Sequence, residues 1–71
     1  MSGMQINSTM LALIEDFLKI NPLGKDEIVR VKGLGEKYIS LATLEIKEDF
    51  KPLFDFKING VKYTLYIRAS N

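Results

Sequence analysis

Apolar and polar residues alternate through FDFKINGVKYTLYIR, Phe54 to Arg68, on either side of a central Asn59-Gly60. Strict alternation sends successive side chains to opposite faces of a strand. Asn-Gly suits a two-residue type I′ turn, in which both central residues take positive φ. The pattern therefore predicts a hairpin of strands 53–58 and 61–68. That turn sets Ile58 opposite Val61, Phe56 opposite Tyr63 and Phe54 opposite Leu65, with all six on one face, so turn chemistry and hydrophobic pattern specify the same register.

Upstream the period changes. Met10, Leu11, Ile14, Phe17 and Leu18 recur at spacings of three and four, while Ala12, Glu15, Asp16 and Lys19 fall on the other side, which predicts an amphipathic helix over 8–20. Asn7, Ser8 and Thr9 each offer a side-chain oxygen to cap its first turn. Asn21-Pro22 stops it, because proline disfavours helical geometry in the residue before it. Glu15 and Lys19 have the spacing of an i,i+4 ion pair. Next, EIVRVK over 27–32 alternates, with Val29 and Val31 on one side and Ile28, Arg30 and Lys32 on the other, and reads as a strand. After the loop GLGEK, YISLATLEIK over 38–47 reads as a second strand whose phase slips. Ile39 and Leu41 share one parity and Leu44 and Ile46 the other, which predicts a bulge near Ala42-Thr43.

These elements give an α+β fold: a single N-terminal helix packed on one face of a four-stranded antiparallel β-meander. The helix stripe is expected to cover Phe54, Phe56, Ile58, Tyr63, Leu65 and Ile67. One helix covers one side of a sheet. The other side is then expected to show Leu53, Asp55 and Lys57 beside Tyr66, Thr64 and Lys62, with Arg68 further along and part of the set Ile39, Leu41, Leu44 and Ile46 also pointing outward.

Length makes that leftover surface matter. A chain of 71 residues has room for one domain over 1–71 and buries only about 60% of the surface its unfolded form exposes, and domains of this size commonly add disulfides, a metal or a partner. There is no Cys and no His, which removes thiolate zinc sites, redox pairs, thiol nucleophiles and the commonest general base. A partner, or a second copy forming a homodimer, is the compensation that remains. A net charge of +1 exerts no overall pull on nucleic acid or anionic lipid. The apolar run Met10–Ile14 has no basic residue before it and meets Glu15-Asp16 at once, unlike a signal peptide or a membrane span. A soluble, cytoplasmic protein is expected. Two starts fit, Met1 and Met4, and residues 1–3 take no part in the fold reading.

Little in the sequence points to catalysis. KGLGEK, Lys32 to Lys37, lacks the third glycine and the Lys-Ser/Thr ending of a phosphate loop and joins two predicted strands. The acidic neighbours Glu15-Asp16, Asp26-Glu27 and Glu48-Asp49 point in different directions on a helix or strand and do not make a metal cage. Serines have no His to activate them. No enzyme, cofactor or metal is expected. The expected role is a protein-interaction module, self-associating through the open sheet face or an exposed edge strand, with Leu53, Lys57, Lys62, Tyr66 and Arg68 as partner-binding residues. The alternative is single-stranded nucleic-acid binding, in which Lys57, Lys62 and Arg68 track phosphates and Tyr66 stacks a base. The plainest reading of the same residues is a solvated face whose lysines discourage aggregation.

Overall fold

A computed structural model describes residues 7–45 and 49–69. Helix α1, Ser8–Ile20, has the bounds that its periodicity predicts. The Asn7 side chain accepts a hydrogen bond from the Met10 N–H at 2.8 Å, satisfying one of the backbone donors a helix start leaves unpaired. At the other end, the Asn21 backbone N–H and side-chain amide both donate to the Phe17 carbonyl, at 2.8 and 3.1 Å. Lys19 lies 3.9 Å from Asp16, so the expected Glu15–Lys19 pair gives way to one at i,i+3. Both partners are largely exposed, and such a contact contributes only a few tenths of a kcal/mol.

Four strands follow: β1 Ile28–Arg30, β2 Lys37–Leu41, β3 Phe50–Ile58 and β4 Val61–Arg68. They form one antiparallel sheet, and the α+β class holds. The order is β1-β2-β4-β3, so the expected meander is incorrect. β4 pairs with β2 on one side and β3 on the other. The connection 42–49 therefore leaves β2 at the level of Tyr63 and enters β3 at the level of Arg68, at the opposite end of β4.

Burial explains the order. In β4, Thr64, Leu65 and Tyr66 are consecutively buried, as in a strand covered on both faces, whereas β3 alternates and contains Pro52, a residue restricted to sheet edges. The phase slip expected at Ala42-Thr43 is the end of a strand: β2 stops at Leu41, and the Leu44 N–H turns back to the Leu41 carbonyl. Ile46 and Lys47 lie outside the described residues.

The hairpin register is as expected, with Ile58↔Val61, Phe56↔Tyr63 and Phe54↔Leu65. Asn59 and Gly60 take φ of 52° and 81°, the pair of positive values a type I′ turn requires. Beyond Phe54 the register shifts, and Tyr66 faces Pro52 in place of Leu53. Leu53 is the extra residue of a β-bulge, which sends two neighbouring side chains toward the same face. It packs with Phe54 against the core.

That core is formed by Ile14 of α1, Val31 and Leu34 of the β1–β2 loop, and Ile39, Phe56, Ile58 and Leu65 of the sheet. Ile39 thus faces the helix, which fixes the parity of β2. Leu34 enters the core between Gly33 and Gly35, whose φ values of 95° and 70° let the loop fold over it. Ile67 is half-buried beside Lys37 and Lys51, outside the core cluster.

Candidate interaction surface

The side of the sheet away from α1 carries Lys57 and Lys62 toward the hairpin turn, Phe50 and Arg68 at the other end, and two longer rows between them. Ile28, Ser40, Thr64 and Asp55 make the first, and Arg30, Tyr38, Tyr66 and Pro52 the second. Ser40 is 0% exposed, Tyr66 2% and Thr64 5%, so the middle of this face is not open to solvent. Phe50 meets Tyr38 edge-on at 5.0 Å and Tyr66 at 6.4 Å between ring centroids. The Arg68 guanidinium lies 5.5 Å from the Tyr38 ring centre and 5.3 Å from that of Phe50, within the range of cation–π attraction. The aromatic end of the face is packed on itself.

Of the residues expected to bind a partner there, Leu53 has turned to the core at the bulge and Tyr66 is buried. Neither is presented on an open face. Lys62 lies 3.5 Å from Asp55, which also accepts a hydrogen bond from the Thr64 hydroxyl at 2.8 Å. Asp55 is thus charge-compensated across the hairpin. Arg68 rests on its two rings. A base-stacking Tyr66 beside free cations is not what these residues form. Lys57 alone of the five is exposed without a described ion pair or aromatic contact, and it sits on β3 directly opposite Lys62.

β3 supplies the longer of the two sheet edges. It is an edge strand of nine residues, against three for β1 at the other edge. The Ala42 N–H donates to the Lys62 carbonyl at 3.1 Å, so the Lys62 peptide groups face β2, and its β3 partner Lys57 belongs to a non-hydrogen-bonded pair. Inter-strand hydrogen bonding alternates along an antiparallel ladder. The N–H and C=O groups of Asp55 and Lys57 consequently point away from β4, toward the side that holds no strand among the described residues. At the other end the Ala69 N–H donates to the Asp49 carbonyl at 2.7 Å, which by the same alternation turns Phe50 and Pro52 outward. Pro52 thus occupies a position where its missing N–H costs no ladder bond. Bulge and proline make residues 50–53 a poor template for another strand, and residues 54–58 remain regular, carrying Lys57 as their edge charge and, among the described residues, no strand paired on their outer side.

A groove of about 480 Å³ lies at the hairpin end, between the last turns of α1 and the β3–β4 turn, lined by Glu15, Leu18, Lys19, Ile58, Asn59, Val61 and Tyr63. Ile20 and Val61, 79% and 42% exposed, are the large apolar residues most open to solvent among those described. No group of three or more acidic residues is gathered as a metal site among the described residues, and no described helix is long and apolar enough to cross a membrane. No protein-family model, curated protein or solved structure matches the chain.

Proposed function

We propose that this chain is a small non-enzymatic protein-interaction module that works by strand addition to the free edge of β3. One observation carries the reading: the outward-facing peptide groups of Asp55 and Lys57 lie on a regular edge segment whose other face, Phe54, Phe56 and Ile58, belongs to the apolar core side. Unpaired strand edges are ready templates for another chain, and proteins that do not use them cover, interrupt or charge them. Here the interruption stops at Leu53. Strand addition supplies affinity through main-chain hydrogen bonds, and flanking side chains supply choice of partner. An edge site suits this chain better than the middle of its sheet face, where Ser40, Thr64 and Tyr66 are buried.

Amide hydrogen exchange tests the reading. In dilute solution the Asp55 and Lys57 amides are expected to exchange quickly, and to gain protection as protein concentration rises through the micromolar range or as a peptide partner is titrated in. Light scattering should show mass above 8.1 kDa over the same range. Fast exchange at both amides under every condition would remove this reading.

A further inference from the structure

We infer that the β3 edge takes a second copy of this chain in a single antiparallel register, with Asp55 opposite Lys57 of the second copy and Phe56 opposite its own counterpart across a two-fold axis. The inference rests on the edge reading above.

Backbone geometry narrows the choice first. Within 54–58, the outward peptide groups belong to Asp55 and Lys57, so a hydrogen-bonded alignment of two β3 strands must pair members of this set. A slip by one residue would set outward groups against inward ones and reverse the faces. Three alignments remain: Asp55 opposite Asp55, Lys57 opposite Lys57, or Asp55 opposite Lys57. Like charges directly opposite destabilise a strand pair and opposite charges favour it, which selects the third. By two-fold symmetry it forms twice, as expected for an interface made of one patch against itself. The same alignment puts Phe54 opposite Ile58 of the second copy, continuing the apolar face from one sheet to the next.

A second observation agrees. Lys57 faces Lys62 across the hairpin, while Asp55 is held by Lys62 and Thr64. Within one copy Lys57 therefore has a like charge opposite it and, among the described residues, no acidic partner. A second copy brings Asp55 to it. Pro52 and the Leu53 bulge end the pairing on one side and the Asn59-Gly60 turn ends it on the other, confining contact to the five residues whose charges define the alignment.

Charge exchange tests the register. Sedimentation equilibrium on the intact chain is expected to show a dimer whose Kd rises about tenfold in Lys57→Asp and in Asp55→Lys, since each reversal turns two attractive pairs repulsive. The double exchange D55K/K57D is expected to return Kd to near the wild-type value. The other two alignments predict no loss from Lys57→Asp, because equal charges would still oppose one another. Far-UV circular dichroism checks that each variant folds. Should Asp55→Lys fail to fold, Lys57→Asp decides alone, for it sets a carboxylate opposite Lys62. An undiminished dimer in that variant, no recovery in a folded double exchange, or a wild-type chain that stays monomeric each overturns the inference. Concentration-dependent protection of the Asp55 and Lys57 amides without the charge-exchange pattern leaves the edge reading standing and removes the register. Absence of both removes the two together.

Discussion

β3 and β4 are similar in length and both carry alternating apolar residues, but their surroundings differ. β4 is hydrogen-bonded on both sides and buries three consecutive residues, Thr64, Leu65 and Tyr66. Among the described residues β3 is bonded on one side; it exposes Lys51, Pro52, Asp55 and Lys57 and has a bulge at Leu53. The difference shows that alternation specifies which way a side chain points, while the neighbours of the strand decide whether that direction is wet. A polar residue in the buried middle of β4 must find a partner inside the protein, as Thr64 does in Asp55. An exposed lysine in β3 need not.

Proline makes the sharpest contrast. Thr64→Pro removes an N–H that faces β2 and leaves its acceptor unpaired, so a loss of about 3 kcal/mol or more is expected, read by urea unfolding. Tyr66→Ala opens a cavity between Phe50 and the sheet and should cost about 3 kcal/mol, well beyond what a tyrosine on a solvated face would give. Asp55→Ala withdraws the acceptor of the Thr64 hydroxyl and should cost about 1 kcal/mol at concentrations where the chain is monomeric. Lys57→Pro is the smallest in stability, within roughly 1 kcal/mol, since its amide points away from β4 and bonds nothing among the described residues. The same variant should abolish association. Equal costs for Thr64→Pro and Lys57→Pro would break the comparison.

The parts that were legible in the sequence are those governed by local rules. Asn59-Gly60 carries its own backbone preference, and the apolar stripe from Met10 to Leu18 has one period, so the hairpin register and α1 follow from neighbours in the chain. Strand order does not, because the pairing of Tyr38 with Tyr66 joins residues far apart and leaves no local trace. Pro52 was the available signal: in a meander this strand would have been central, where a proline is poorly tolerated. The bulge was hidden for a similar reason. Leu53-Phe54 are two adjacent apolar residues in an otherwise alternating run, a weaker mark than the phase change at Leu44, where β2 has already ended. The expectation of an oily uncovered face failed with these two features, since the bulge turned Leu53 to the core and the order placed Tyr66 in the buried middle of the sheet.

Strand addition at β3 requires the peptide groups of Asp55 and Lys57 to face outward. Residue-resolved amide exchange at low concentration measures this directly, against Phe56 and Ile58 in the same strand as internal references. Rapid exchange at 55 and 57 beside slow exchange at 56 and 58, with the first pair slowing as concentration rises, is the predicted result. Uniform protection of all four amides in the monomer, or rates at 55 and 57 that ignore concentration, would contradict it.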